Sequence, residues 1–207
     1  MVIYMNINMA FNQSKMNYKL ALKEAENLVE ILRSDTEIIN IAGSIRREKP
    51  EVKDIEIVCA PKRIKQQTLF GEGPQYNCDQ FKSVVKNLPG KIVHGKTSGR
   101  NLRMELDCGI ILDLFMPQKI DYYRQFAIRT GSGDYSHKEL ASSWKRNGWV
   151  GTTEGLRRRV QCSEISEGKN NWRCYVPNPE LPPVWESEEH FFDWLGLKWI
   201  IPQDRNI

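Results

Sequence analysis

Three acidic residues interrupt two short apolar runs that otherwise have the composition of buried strands. Asp54 and Glu56 alternate with two isoleucines, and Asp113 lies within the run Ile111–Phe115. Burying a carboxylate costs several kcal/mol unless a cation receives it. Because strand residues i and i+2 point to the same face, Asp54 and Glu56 are predicted to stand side by side, roughly 7 Å apart at Cβ, while the isoleucines face the core.

Such a pair of acids can bridge divalent metals. A third carboxylate from a neighbouring strand would complete a site for two Mg²⁺ or Mn²⁺ ions about 3.5–4 Å apart. For Asp54 and Glu56 alone, an amphipathic strand with a solvated acidic face is the alternative. Asp113 is harder to explain in that way, because a lone buried acid is rare without a partner. Asp107 lies in a predicted turn and is interpreted as a turn residue, not as a ligand.

A glycine–serine pair precedes these acids. Gly43 and Ser44 end an apolar run and are followed by Ile45, Arg46 and Arg47. Backbone N–H groups at such a turn, a serine hydroxyl and a guanidinium can hold triphosphate oxygens, and glycine allows a close backbone approach. The predicted phosphate cradle and the predicted metal ligands are therefore neighbours in sequence.

In these two segments the chain resembles the nucleotidyltransferase superfamily and, more narrowly, the family X DNA polymerases. The palm of those enzymes carries a Gly-Ser-x-Arg-Arg stretch followed by an acid-x-acid strand. Three further segments look like family X and follow in the expected order: Leu112–Phe115 with the third acid, Thr130–Ser132 after a helix, and a tail from Trp185 to Arg205. The resemblance covers roughly residues 36–205.

The resemblance implies a two-metal polymerase mechanism. Asp54, Glu56 and Asp113 would be catalytic and would hold two Mg²⁺ (or Mn²⁺) ions. Nucleotide binding would fall to residues of the Gly-Ser and Thr-Gly-Ser turns and to one residue beyond: Gly43, Ser44, Arg46, Arg47, Thr130, Gly131, Ser132 and Ser136. Of the two arginines, Arg47 is expected to contact phosphate.

The chain also departs from the family pattern. Glu56 stands where family X usually has Asp, which changes the expected metal geometry. Ile128 and Arg129 stand where many members have an aromatic pair against the incoming sugar, so weaker discrimination against ribonucleotides is implied. Ser136 stands where members often have an Asn that touches the base.

The resemblance implies an α+β fold of minimal palm-plus-thumb form, similar to the small family X enzymes of some large DNA viruses. We expect a helical segment over residues 1–35, a palm over 36–118 with a small mixed β-sheet and helices on one side, and a thumb-like α/β subdomain over 119–207. The 35 residues before the palm leave no room for a lyase domain, so no 5′-deoxyribose phosphate lyase activity is expected.

Apolar periodicity and turn residues predict the elements. Ala21, Ala25, Leu28, Val29 and Leu32 recur at helical spacing behind Ser14, a candidate N-cap. The predicted helices span 15–33, 76–87, 119–129 and 134–147, with a short one from a Ser187 cap to Leu195. The predicted strands span 38–42, 53–59, 91–95, 101–106 and 110–116. An irregular stretch is predicted around 71–74, and short strands are expected after 147.

Charge and cysteine usage set the remaining expectations. The net charge of +4 is too small to indicate nucleic-acid binding by itself. Five scattered cysteines without a CxxC pair argue against a disulfide framework or a zinc site. A basic group after the Thr-Gly-Ser turn is expected to contact DNA backbone phosphates without reading bases. It consists of Lys145, Arg146, Arg157, Arg158 and Arg159.

The predicted partners are a primer–template or gapped DNA duplex and dNTPs, with rNTPs as a further substrate class. Short-gap repair synthesis by a monomer is the expected activity. No apolar run approaches the roughly 20 residues of a membrane span, and the start lacks the features of a signal peptide. An intracellular protein is expected, cytoplasmic in a bacterium or encoded by a DNA virus or phage.

Other functions remain compatible with the same residues. A nucleotidyltransferase that modifies RNA, protein or a small molecule would keep the three acids and the Gly-Ser cradle. That enzyme would not need the basic DNA-facing thumb. A template-independent terminal transferase is a further alternative. A DNA-binding scaffold without catalysis is disfavoured, because all three acids are present.

Overall fold

Short strands and helices alternate along residues 15–68, 71–166 and 171–207, which this computed structural model describes. The strands, in chain order, are β1 (Met16–Asn17), β2 (Thr36–Ile41), β3 (Glu51–Val52), β4 (Asp54–Pro61), β5 (Arg63–Thr68), β6 (Gly71–Asn77), β7 (Gly90–Gly95), β8 (Asn101–Leu106), β9 (Ile111–Phe115), β10 (Trp149–Thr152), β11 (Gly155–Arg158), β12 (Cys162–Ser166) and β13 (Asn171–Cys174). The helices are α1 (Tyr18–Arg33), α2 (Gly43–Arg46), α3 (Asp79–Lys86), α4 (Tyr122–Thr130), α5 (Gly133–Tyr135), α6 (Ser142–Arg146) and α7 (Glu188–Leu195), with a π-helical segment, Ser136–Ala141, between α5 and α6. The fold is α+β, as predicted.

A five-stranded mixed sheet carries the predicted acids. Its strand order is β2-β4-β9-β8-β7. The second and third strands of this order, β4 and β9, run parallel, whereas the other neighbouring pairs are antiparallel. A parallel pair requires a crossover connection. The chain between β4 and β9 supplies it with the hairpin β5–β6, the helix α3 and the strands β7 and β8.

The two faces of this sheet have different coverings. Ile55 and Ile57 lie in the main apolar core with residues of α1 and α3, as their alternation with the acids predicts. On the opposite face, Val58 and Ala60 pack against Tyr122 and Phe126 of α4. Helices therefore cover part of both faces. The prediction of helices on one side describes α1 and α3 but omits α4.

The C-terminal part has its own apolar core and its own sheet. Four short strands pair in the order β11-β10-β13-β12. Trp149 and Leu156 of this sheet pack with Trp144, Trp185 and other residues from α4 to α7.

Most predicted elements are present with shifted ends, and three features differ. The irregular stretch predicted around 71–74 is wrong, because β6 spans it and pairs with β5 across a register shift. Such an irregularity accommodates a proline that cannot donate to the ladder. The Gly-Ser turn is the start of the short helix α2. Asn17 caps α1 and accepts a hydrogen bond from the Lys19 amide, whereas Ser14 lies outside the described residues. None of the described helices is long and apolar enough to cross a membrane.

Candidate active site

The three predicted acids lie on one face of the parallel strands β4 and β9. In the parallel ladder, Glu56 is the direct partner of Asp113, and Asp54 lies two residues before Glu56 on the same strand. Side chains of directly paired residues share a face of the sheet, as do those of residues i and i+2. Asp54, Glu56 and Asp113 therefore form one acidic surface, called the acid face here.

Crowding on the acid face favours protonation of two carboxyls. Burial and the neighbouring Asp54 raise the pKa of Glu56 to about 7. Burial and Asp113 also raise the pKa of Asp54. Both directions show that negative charge is costly at this place, and a bound cation would relieve that cost.

Arg103 forms a bidentate ion pair with the third acid, Asp113. Its Nε and Nη2 donate hydrogen bonds to the two Asp113 carboxylate oxygens at 2.7 and 2.6 Å. Arg103 is the antiparallel partner of Asp113 on β8. Arg103 is not among the residues predicted from the sequence, although it stands on the exposed side of the alternating strand Asn101–Leu106.

The acid face has suitable ligand types for a divalent cation, but its three carboxylates are not gathered around one point. Within residues 15–68, 71–166 and 171–207, no three His, Cys, Asp or Glu side chains are grouped as a metal site. The Asp113 carboxylate points to Arg103, so it would have to release Arg103 to join the other two acids. The donor set itself, three carboxylates with two raised pKa values, is of the kind that Mg²⁺ and Mn²⁺ prefer.

Gly43 is required by the position of Glu56. Its φ is +63°, and a Cβ at this residue would lie 2.0 Å from Glu56 Oε2. Any side chain here would therefore push the Glu56 carboxylate away in addition to straining the backbone. The turn and the acid strand are matched in shape at this contact.

A first cleft lies between the Gly-Ser turn and the acid face. It has a volume of about 390 Å³ and is called the lysine cleft here, because three of its lining residues are lysines. Its lining includes Ser44, Arg47, Asp54, Glu56, Lys15, Lys49 and Lys53. Cationic side chains therefore stand beside carboxylates, a combination that suits a phosphate group with an associated metal ion.

The two arginines after the Gly-Ser turn separate. Arg46 Nη1 and Nη2 each donate to the Glu188 carboxylate at 2.8 Å, and the Arg46 guanidinium lies 3.8 Å from the centre of the Phe126 ring. Arg47 donates from Nη1 to the Thr130 carbonyl and lines the lysine cleft. Arg47 is thus placed at the candidate site, whereas Arg46 is engaged in an internal ion pair.

The predicted Thr-Gly-Ser turn begins at Thr130, the last residue of α4, and its side chains form hydrogen bonds within the protein. The Thr130 hydroxyl accepts a hydrogen bond from Arg46 at 2.6 Å. Ser132 Oγ accepts from the Tyr135 amide at 3.1 Å and so caps α5. A Cβ on Gly131 would lie 2.6 Å from the Tyr135 ring. The Ser136 hydroxyl donates to the Ile128 carbonyl at 2.7 Å.

A second cleft opens between this turn and the acid face. It has a volume of about 490 Å³ and is called the Trp144 cleft here. Its lining comprises Arg47, Glu56, Ile128, Arg129, Gly131, Ser132, Gly133, Ser136, His137, Ala141 and Trp144. Arg47 and Glu56 line both clefts, so the two clefts meet at the acid face.

Arg129 supplies a second positive charge at the acid face. Its position there was not predicted from the sequence. Its guanidinium lies 3.9 Å from the centre of the Phe115 ring, and Phe115 is two residues beyond Asp113 on the same face of β9. Burial lowers the pKa of Arg129, while the nearby Glu56 and Asp113 oppose that shift. Phe115 thus holds a positive charge next to the acid face.

Four buried polar atoms without partners belong to residues that line these clefts. Ser44 Oγ, Arg47 Nε, Arg129 Nε and Trp144 Nε1 are buried and have no hydrogen-bond partner among the described residues. Five further atoms of this kind belong to residues outside both clefts, so such atoms do not by themselves mark a ligand site. Leaving a buried polar group unpaired costs about 1–3 kcal/mol, which a ligand that pairs with these four atoms would offset.

The five basic residues predicted to contact DNA differ in their availability. Arg157 lies 3.6 Å from Glu154 and is largely buried, and Arg158 pairs with Glu180 at 2.9 Å while stacking 4.3 Å from the Trp149 ring centre. Lys145, Arg146 and Arg159 are exposed.

Comparison with known proteins gives no assignment, because no family model and no curated protein matches the chain.

Proposed function

We propose that the protein is a metal-dependent nucleotidyltransferase that extends a DNA primer with nucleoside triphosphates, as a family X DNA polymerase of palm-plus-thumb form does. The observation that carries the proposal is the acid face with the Gly-Ser turn packed against it. Glu56 joins the two, because it pairs with Asp113 in the sheet and contacts the position where Gly43 would carry a side chain.

The two clefts suggest how a nucleotide would lie. The lysine cleft offers Ser44 Oγ and the Arg47 guanidinium to the β- and γ-phosphates, with Lys49 and Lys53 for the remaining charge. Lys15 also lines this cleft but is paired with Glu51 at 2.6 Å. The Trp144 cleft offers the backbone of Gly131 and Gly133 and the side chain of Ile128 to the sugar and base. Trp144 lines this cleft but is only 6% exposed, because its ring packs in the C-terminal core. Both clefts are open toward Glu56, where the α-phosphate would lie.

Divalent ions held by Asp54, Glu56 and Asp113 would supply activation of the primer hydroxyl and neutralisation of the triphosphate. The residues of the chain have separate tasks. Arg47 and Ser44 hold the departing pyrophosphate. Ile55 and Ile57 pack into the main core behind the acid face and fix the strand that carries Asp54 and Glu56. The exposed residues Arg146 and Arg159 would bind the DNA backbone.

Primer extension on a duplex with a one-nucleotide gap tests this function. Mg²⁺ or Mn²⁺ is supplied with dNTPs or with rNTPs. Asp54→Asn is the informative variant, since no described residue forms an ion pair with Asp54, and the change keeps its size. We expect templated addition by the wild type and a loss of at least about a hundredfold in Asp54→Asn.

Asp107→Asn is the matched control, because Asp107 is exposed in the turn between β8 and β9 and lines neither of the two clefts. It should keep wild-type activity. Extension by Asp54→Asn at the wild-type rate would refute the assignment of the acids. Addition without regard to template would favour a terminal transferase. Nucleotide turnover that DNA does not stimulate would favour an RNA, protein or small-molecule acceptor.

A further inference from the structure

Two of the five cysteines, 12 positions apart in the sequence, lie side by side on adjacent strands of the C-terminal sheet. Cys162, the first residue of β12, is the direct antiparallel partner of Cys174, the last residue of β13. Their Sγ atoms are 2.9 Å apart, and both thiols are free. The scattered spacing of cysteines argues against a disulfide framework in sequence terms, but the fold brings this pair together.

The backbone around the pair suits a cross-link. The Tyr175 amide donates to the Gln161 carbonyl at 3.2 Å, one residue outside the pair on each strand. This pattern places Cys162 and Cys174 at a non-hydrogen-bonded position of the ladder, where cross-strand side chains are closest. Paired residues there lie within the Cα separation that disulfides span.

We propose that Cys162 and Cys174 form a reversible disulfide by exchange with a small-molecule disulfide such as oxidised glutathione. The site is separate from the acid face and does not depend on the polymerase assignment. The other three described thiols lack this arrangement. Cys59 is fully buried in the main core, Cys78 caps α3 and accepts a hydrogen bond from the Phe81 amide, and Cys108 is exposed in a turn.

The order of the two steps follows from access to the sulfurs. Cys174 is partly exposed, whereas Cys162 is buried with 8% of its surface accessible. Burial, and then the hydrogen bond with Cys174, raise the pKa of Cys162 to about 12. Cys174 is therefore the thiol that meets the reagent first.

In the first step, the Cys174 thiolate attacks one sulfur of oxidised glutathione, which forms a mixed disulfide and releases one glutathione thiolate. Cys162 then loses its proton and attacks Cys174 Sγ, which releases the second glutathione. The protein loses two hydrogen atoms in total, and one glutathione disulfide becomes two thiols.

The cross-link would close the end of the β12–β13 ladder and fix the segments that leave it. Gln161 Oε1 already accepts from the Glu180 amide at 2.9 Å, and the Tyr175 hydroxyl donates to the Val160 carbonyl at 2.6 Å. Just before them, the exposed Arg159 lies 5.5 Å from the ring centre of Trp172. A disulfide would therefore hold the segment Arg159–Gln161, which carries the exposed Arg159, against the C-terminal sheet.

The test equilibrates the full chain with mixtures of oxidised and reduced glutathione and maps its disulfides by mass spectrometry after trapping free thiols. We expect one intramolecular link, between the peptides containing Cys162 and Cys174. A thermal melt of the oxidised protein should show a Tm roughly 5 °C above that of the reduced protein, and reductant should reverse the shift.

Cys108→Ser is the control and should keep both the link and the shift, whereas Cys162→Ser and Cys174→Ser should lose both. Mapping of the wild type decides the proposal even if a variant folds poorly. Glutathione that stays attached to Cys174, a link to another cysteine, or no reaction at a strongly oxidising ratio would each overturn it.

Discussion

At the scale of single residues, the site depends on contacts of a few atoms around Glu56. Gly43 leaves just enough room for the Glu56 carboxylate, and Asp54 and Asp113 crowd it from the same sheet face. Two predictions concern these contacts.

Replacing Gly43 with Ala should displace Glu56. A Cβ at Gly43 meets Oε2 at 2.0 Å, and the φ of +63° is unfavourable for alanine. We expect a loss of about 2–4 kcal/mol in the free energy of unfolding, from backbone strain and overpacking together. Urea denaturation measures it.

Gly109→Ala separates the two causes. Gly109 has a φ of +84°, but a Cβ there would meet nothing within 4 Å. This variant should lose only the strain, about 1 kcal/mol. Equal losses in the two variants would show that the contact with Glu56 is unimportant.

Glu56 gives the metal-free protein a pH dependence of definite sign. Its pKa is about 7 in the fold against 4.5 for an unperturbed side chain. The folded state therefore binds the proton more tightly, so this residue lowers stability as the pH rises from about 4.5 to about 7. Glu56→Gln should remove that decline, on the order of 2 kcal/mol, in denaturation experiments across this range.

Glu105→Gln provides the comparison, since Glu105 is exposed on β8, which β9 separates from the strand of Glu56. Its pH profile should match that of the wild type. A Glu56→Gln profile parallel to the wild type would show that Glu56 titrates normally.

At the scale of elements, one buried carboxylate ties helix α7 to helix α2. Glu188, 4% exposed, accepts hydrogen bonds from Arg46, from Arg205 at 2.7 and 2.9 Å, and from Trp199 Nε1 at 3.0 Å. Burial alone would raise the pKa of Glu188, but the hydrogen bonds from Arg205 and Arg46 lower it to about 2. The Glu188 carboxylate thus connects the start of α7 to the end of α2 and to Arg205 near the C-terminus.

Glu188→Gln should destabilise the protein by about 3 kcal/mol, because it leaves two buried guanidinium groups without their counter-ion. Its effect has a pH signature. The lowered pKa stabilises the fold above pH 4.5, and this contribution is lost as the pH falls toward 2. The difference between variant and wild type should therefore shrink on acidification.

Glu189→Gln is the matched control on the same helix turn, since Glu189 is exposed. It should change stability by less than about 0.5 kcal/mol. Denaturant titrations at neutral and acidic pH test both variants. A Glu188→Gln protein as stable as the control would contradict the role of this cluster.

At the scale of the whole molecule, DNA binding is expected to depend on exposed cations of the C-terminal part. Arg146→Gln should weaken binding to a gapped duplex about equally for all sequences and should reduce the slope of log affinity against log salt by about 1. Fluorescence anisotropy at several salt concentrations measures both effects.

Arg33→Gln is the control for charge alone, because Arg33 is an exposed residue at the end of α1. It should leave the slope unchanged. Equal effects of the two substitutions would indicate that net charge, rather than a DNA-facing surface, governs binding.

The sequence predicted the parts of this molecule that follow from local periodicity. Ile55 and Ile57 in the core, the Ser187 cap of α7 and the buried stripe of α1 are confirmed. The pairing of Arg103 with Asp113 depends on strand register, which local patterns do not contain. The position of Arg129 over Phe115 likewise depends on how α4 docks on the sheet.

The ion pair between Arg46 and Glu188 spans 142 positions of the sequence, which has a consequence for synthesis of the chain. At roughly 5–20 residues per second, a ribosome would deliver Glu188 about 7–30 s after Arg46. The strand with Asp54 and Glu56 would emerge early, while Arg46 still lacks its counter-ion. A nascent chain stalled before Glu188 is therefore expected to contain Asp54 and Glu56 but to lack the Arg46–Glu188 ion pair that fixes helix α2 beside them.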